Sequence, residues 1–166
     1  KDANDELLVL VSKFRSRCRI PVATYKFSAS GAAMYRCSQP LVGLKNARNL
    51  DDEKLLELMS GQGLLHIVDC RPKAAAMGNK FRGAGMEQVG PGSRYDFCDL
   101  EFAGIGNIHT MRGALTKFVS VIGTGNEKRE TKLAWMDHIS KVMAAGVRIA
   151  MLLKMGTQVL VHWFFF

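Results

Sequence analysis

The sequence predicts an α/β fold with a largely parallel central sheet flanked by helices, and three observations predict it. Leu64-Leu65-His66-Ile67-Val68 is a nearly continuous apolar run, the pattern of a strand buried on both faces. Val159-Leu160-Val161-His162 is a second short, β-branched apolar run, fed directly by the longest helical pattern in the chain, Lys132 to Lys154. Between the two, strand-like and helix-like segments alternate, as parallel sheets with crossover helices require. A length of 166 residues suits one compact domain.

Taken in order, Leu7 to Val11 is a helical or extended apolar patch. Val22 to Phe27 predicts a strand, Ser28-Ala29-Ser30-Gly31 a turn, Ala33 to Cys37 the returning partner, and Pro40 the end of that hairpin. Asp51 to Met59 predicts a short helix, with acids in the first turn where the dipole favours them and Gly61 just past its end. After the Leu64–Val68 strand and its Asp69-Cys70-Arg71-Pro72 ending, Ala74 to Lys80 predicts a helix. Gly83 to Arg94, glycine-rich and polar, predicts a loop. Asp99 to Ile105 returns to a strand. From Met111, the spacing of Leu115, Phe118, Val119 and Ile122 is helical until Gly123-Thr124-Gly125 breaks it. In the long pattern, Met136, Ile139, Met143, Ala150 and Leu153 share a stripe with Trp135, Val142 and Ile149 beside it, and Gly156 comes next as a stop. Trp135 and the nine methionines read as core.

A hydrophobic share of 48% fits a globular chain and argues against disorder. No window holds the ~18 uninterrupted apolar residues that a spanning helix needs. The charged opening, Lys1-Asp2-Ala3-Asn4-Asp5-Glu6, has no signal-peptide apolar core, and the missing initiator Met points to upstream sequence. A net charge of +8 favours an anionic partner: phospholipid, phosphorylated ligand or nucleic acid. No basic stripe interleaved with aromatics appears, so nucleic acid is disfavoured. The cluster Arg15, Arg17, Arg19 reads either as a lipid-facing patch or as a solvated face. Cys18, Cys37, Cys70 and Cys98 are widely spaced, and His66, His109, His138 and His162 show no ligand spacing. Neither a disulfide framework nor a metal site is expected, and a reducing cytosolic compartment is the natural inference.

Three Gly-x-Gly pairs, at Gly83 and Gly85, Gly104 and Gly106, and Gly123 and Gly125, invite a dinucleotide reading. None has the third glycine, so ordinary turns are the better account. Asp69 and Arg71 stand at the carboxyl end of a buried strand, where α/β proteins place function, yet a structural ion pair is the commoner role for two such residues. His162 reads as a hydrogen-bonded organiser of the segment after the last strand rather than as a general base.

The segments that stand out together are Phe14-Arg15-Ser16-Arg17, Ile20-Pro21-Val22, Arg36-Cys37-Ser38-Gln39-Pro40-Leu41-Val42-Gly43, Asp52-Glu53-Lys54, Val68-Asp69-Cys70-Arg71-Pro72, Asn107-Ile108-His109 and Val161-His162. In this order and spacing, from about Asp5 to His162, the chain resembles the myotubularin family of phosphoinositide phosphatases. The likeness covers the N-terminal half of that family's phosphatase domain. It implies a partial protein-tyrosine-phosphatase-like domain over residues 1–166, with the catalytic loop and C-terminal half absent. It also implies removal of the 3-phosphate from phosphatidylinositol 3-phosphate and 3,5-bisphosphate in the intact family, without metal or other cofactor.

By the same resemblance, Asn79, Asn107 and Ile108 match residues that line the headgroup pocket. Amides suit that task because they hydrogen-bond ring hydroxyls and phosphate oxygens without adding charge. The residues themselves also allow a plainer reading: Asn79 as a helix-end residue and Asn107 as a helix cap. The loop around Gly90-Pro91-Gly92 makes the Asn79–Asn107 interval three residues longer than is typical of the family. The family's nucleophile is a cysteine directly after the residue matching His162, in a Cys-x5-Arg loop whose amides and arginine grip phosphate. In this chain Trp163-Phe164-Phe165-Phe166 stands there instead. No phosphatase activity is therefore expected and no catalytic residue is assigned. Three readings remain: a truncated family member; a pseudophosphatase that binds phosphoinositide or an active relative; and an unrelated nucleotide-binding module. The expected partners are a phosphoinositide headgroup on an anionic membrane surface and, through homo- or hetero-oligomers, other family members. The expected location is cytoplasmic, peripheral on endosomal membranes. By the resemblance the Val159 strand is central in the sheet, but the helices and strands that should cover it are absent; poor solubility or partial folding is expected, from three terminal phenylalanines beside an unpaired edge.

Overall fold

The computed structural model describes residues 4–124 and 129–162. Five strands form one sheet in the order β1-β2-β5-β3-β4, with β1 Val22–Lys26, β2 Ala33–Cys37, β3 Leu65–Asp69, β4 Cys98–Phe102 and β5 Gln158–His162. The β1–β2 hairpin is antiparallel, with an irregularity between Ala23 and Tyr25; the β2–β5, β5–β3 and β3–β4 ladders are parallel. The α/β expectation with a largely parallel sheet therefore holds.

The helices are α1 Asp5–Ser12, α2 Leu50–Ser60, α3 Lys73–Asn79, α4 Ile108–Val121 and α5 Arg129–Lys154. Their starts reflect local chemistry. The Asn4, Asn49 and Asn107 side chains each accept a hydrogen bond from a backbone N–H three residues on, satisfying a donor that the first helical turn leaves unpaired. Gly61 comes after α2 at φ 67°, a backbone state open to glycine at little cost.

Side-chain alternation along the strands splits the core in two. Leu65, Ile67 and Leu160 pack with Leu7 and Val11 of α1 and with Leu55, Leu56 and Met59 of α2 on one face. Val68 and Val159 pack with Ala32 and with Leu152 and Leu153 of α5 on the other. Every residue of β3 is buried, as its unbroken apolar run requires of a strand covered on both sides.

The β5 strand is central, as expected, with β2 and β3 on either side and the edges at β1 and β4; Phe164, Phe165 and Phe166 lie outside the described residues. Two expectations are corrected. The α5 stripe does not form a continuous core contact: Leu153 is buried, but Met136, Val142 and Met143 are exposed. Only the last turns of α5 reach the sheet, while its earlier turns pair with α4. For the same reason the methionines are not uniformly core: Met59 is buried, whereas Met77, Met136, Met143, Met151 and Met155 are exposed.

Candidate functional site

Parallel ladders place four strand ends in one row. Cys37, His162, Asp69 and Phe102 are register neighbours at the carboxyl ends of β2, β5, β3 and β4. The loops that leave this row carry the polar residues singled out in the sequence. Three hydrogen bonds stitch their first turns: the Cys70 N–H donates to the His162 carbonyl at 3.1 Å, and Ala103 and Ile105 N–H groups donate to the Asp69 and Cys70 carbonyls at 2.8 Å. The carboxyl edge of a parallel sheet is where α/β proteins form ligand crevices.

At this edge lies a cavity of about 500 Å³, floored by Arg71 and Pro72 and walled by Asn79, Arg82, Asn107 and Thr110. Asn79 and Asn107, far apart in sequence, thus face one space. Asn79 is also the last residue of α3 and donates from Nδ2 to Gln39 Oε1 at 3.2 Å. Asn107 also caps α4, its Oδ1 accepting from Thr110 N–H at 2.9 Å. Both residues thus line the cavity and also sit at helix ends. Ile108 is not part of the cavity wall; it is the exposed first residue of α4. Arg82 joins the wall because α3 continues into a 3₁₀ turn, Lys80–Arg82, and no sequence motif had marked it. A second hollow of about 430 Å³ lies between Cys18 and Arg36 on the outer β1–β2 hairpin and reaches Cys37 at the end of β2.

Beneath the cavity floor runs a buried ionic network. Arg71 Nη2 and Nε bind Asp69 at 2.6 and 2.8 Å, and its remaining donors reach Gln39 Oε1 and the Gly85 carbonyl. The structural ion pair expected for Asp69 and Arg71 is thus present. Arg15 is buried and holds Asp52 through two bonds and Glu87 Oε1 at 2.7 Å. This corrects the surface reading of the Arg15, Arg17, Arg19 cluster: only Arg17 and Arg19 are exposed. Glu87 turns its other oxygen to His162 Nε2 at 3.1 Å, and Asp69 Oδ1 stands 3.7 Å from His162 Nδ1. Burial by itself would raise the Glu87 carboxyl, but His162 and Arg15 outweigh it and hold the group well below the usual carboxylate range.

Glu87 went unnoticed in the sequence because it sits in the glycine-rich Gly83–Arg94 loop. The one available signal was a lone acid among glycines. That loop enters the interior because Gly85 lets the backbone pass against Val42, where a Cβ would collide with the valine side chain.

Three of the four cysteines are held as thiols. Burial pushes the Cys37 and Cys70 thiols up to about 12, and Cys98 is pushed up as well. Among the described residues, no three His, Cys, Asp or Glu side chains converge as a metal site would require, and no helix is long and apolar enough to cross a membrane.

Comparison with known proteins settles the family. A model of the myotubularin-like phosphatase domain matches residues 1–164. The chain belongs to the myotubularin family. It is similar to a phosphatidylinositol-3,5-bisphosphate 3-phosphatase of Gallus gallus, 40% identical over 91% of this chain and 25% of the relative. It is similar also to a phosphatidylinositol-3-phosphate phosphatase of Homo sapiens, 38% identical over 98% of this chain and 26% of the relative. Myotubularin of Xenopus laevis is 36% identical over 96% of this chain and 28% of its own length. The chain thus spans about a quarter of the length of these curated relatives.

Proposed function

We propose that this chain is the scaffold and headgroup-binding part of a myotubularin-type phosphoinositide 3-phosphatase, with phosphatidylinositol 3-phosphate and 3,5-bisphosphate as its ligands. The observation that carries this reading is the meeting of Asn79 and Asn107 across one cavity whose wall also holds Arg71 and Arg82. Asn107 Oδ1 is engaged by the α4 cap, which leaves its Nδ2 to donate to a ring hydroxyl or phosphate oxygen. Arg82 supplies positive charge at the rim, while Arg71 is saturated by Asp69, Gln39 and Gly85 and serves the floor. In this reading Ile108 contributes its backbone N–H at the start of α4 rather than its exposed side chain.

The polypeptide by itself binds without turnover. None of its four cysteines has an arginine six residues on, and the Cys37, Cys70 and Cys98 thiols are held protonated. The proposed location is the cytoplasmic face of endosomal membranes, where such lipids would be met. Calorimetric titration of the purified chain with short-chain phosphatidylinositol 3-phosphate tests the reading. Binding that is lost in Asn79→Ala and weakened in Arg82→Ala, with no phosphate released, is the expected result. Equal affinity for unphosphorylated phosphatidylinositol would overturn it.

One observation favours a second reading, a pseudophosphatase adaptor that engages an active family member. The paired helices α4 and α5 expose Val119, Met143, Val147 and Met151. Co-precipitation with an active relative, abolished by charge substitutions at Met143 and Val147, would select it.

A further inference from the structure

The buried network under the strand ends has a charge balance that its geometry makes countable. Arg15 and Arg71 contribute two positive charges; Asp52, Asp69 and Glu87 contribute three negative ones. All five residues are buried, and the other groups packed among them are neutral. Tyr95 donates its O–H to Asp52 Oδ2 at 2.9 Å, and the Cys37 thiol, beside His162 in register and within 3.6 Å of Arg15 Nη1, stays protonated. A net negative charge in a site of low polarity is costly, because neither water nor counterions reach it.

His162 is the remaining titratable group in the network among the described residues. Its side chain is fully buried, and both ring nitrogens face carboxylates: Nε2 is hydrogen-bonded to Glu87 Oε2 at 3.1 Å, while Nδ1 has no hydrogen-bond partner among the described residues and stands 3.7 Å from Asp69 Oδ1, a purely electrostatic contact. A neutral imidazole would turn a lone pair toward one of these anions, whichever tautomer it adopted. Cys70, whose backbone N–H donates to the His162 carbonyl, presents a protonated thiol and adds no charge.

We propose that Glu87 is a positioning residue that, with Asp69, clamps His162 as a doubly protonated imidazolium at the carboxyl end of the central strand. The clamp deepens the proposed headgroup-binding function and rests on it: it fixes the last residue of β5 and places a buried positive charge among the strand ends from which the loops lining the headgroup cavity depart. Glu87 acts through His162 and touches no ligand. Its second oxygen is tied to Arg15, which is tied to Asp52 of α2, so the ring is referenced to the body of the domain rather than to a surface loop.

The test is long-range ¹H–¹⁵N spectroscopy of the full chain at pH 7 without ligand, with the His162 ring assigned by its disappearance in His162→Gln. Two protonated ring nitrogens are expected in the unmodified chain. Glu87→Gln removes one negative charge and should leave His162 with a single ring proton, whereas Glu87→Asp should restore the second. A single ring proton in the unmodified chain would overturn the clamp, and that measurement stands even where Glu87→Gln fails to fold. Two protons persisting in folded Glu87→Gln would overturn it as well. A merely structural Glu87 would lower the melting temperature without altering the ring's proton count. Because no lipid is present, two ring protons sustain the clamp even if headgroup titration fails, and a single proton refutes it even if titration succeeds.

Discussion

Arg15 grips both carboxylate oxygens of Asp52, with Nε at 2.7 Å from Oδ1 and Nη2 at 2.6 Å from Oδ2, and both side chains are fully excluded from solvent. The pair joins the segment after α1 to the first turn of α2. Burial opposes the Arg15 charge, yet Asp52, ahead of Glu87, holds that charge more firmly than in water. Removing the arginine strands two buried carboxylates, so Arg15→Ala should destabilise the fold by about 3–5 kcal/mol in chemical denaturation. Arg48→Ala, which leaves Glu53, only 10% exposed, without its partner, should cost less than Arg15→Ala, because Arg48 itself is half in solvent and water can reach the site it vacates.

Glu87 sets an acid limit on stability. Its folded-state carboxyl lies below the ordinary range, so the unfolded chain binds the proton more readily. The stabilisation is complete above the unfolded value of about 4.3 and is lost as pH falls below it toward the folded value. Denaturation midpoints should therefore decline from about pH 5 downward. In Glu87→Gln the chain should start less stable at neutral pH and show a shallower acid decline.

Two roles coincide in Asn107, and aspartate separates them. Asn107→Asp keeps an oxygen for the Thr110 N–H and should melt near the unmodified temperature. It places a negative charge on the cavity wall and should weaken phosphoinositide binding in calorimetric titration. Asn107→Ala should lose the binding and about 1 kcal/mol of stability together.

Gly85 lets the Glu87 loop pass beneath the cavity. In Gly85→Ala the new methyl meets the Val42 side chain, and the Gly85 carbonyl that accepts from Arg71 Nη2 at 2.8 Å must shift. A loss of about 1–3 kcal/mol is expected. Gly78→Ala, where the added methyl meets nothing within 4 Å, should be tolerated and serves as the control.

The exposed apolar face of α4 and α5 should make the isolated chain self-associate. Met143 and Val147 are 64% and 59% exposed, so charging them removes little buried contact. The double variant Met143→Lys, Val147→Glu should cut light scattering at a given concentration while leaving the melting temperature close to that of the unmodified chain.

Much of the architecture was legible because it rests on local rules. The acidic first turn from Asp51 and Gly61 past the last turn announce α2, Gly31 before Ala33 to Cys37 announces the hairpin, and the unbroken run from Leu64 to Val68 announces a strand covered on both faces. Asn79 and Asn107 were legible only through their place in a family pattern, since a helix-end asparagine and a capping asparagine look the same with or without a pocket beside them. Glu87 and Arg82 were not legible. One lies in a glycine-rich loop and the other on a short helical turn, and no periodicity tells which side chain of such a segment faces inward.

The sequence by itself determined the alternation of strands and helices and the family, because each is written in contiguous residues. The tertiary structure alone decided that α5 leaves most of its apolar stripe uncovered, that Arg15 is buried rather than lipid-facing, and that Glu87 meets His162 across 75 positions of chain. Burial and charge pairing belong to distances in space, and those are set by how parallel strands stack their ends rather than by any neighbour along the backbone.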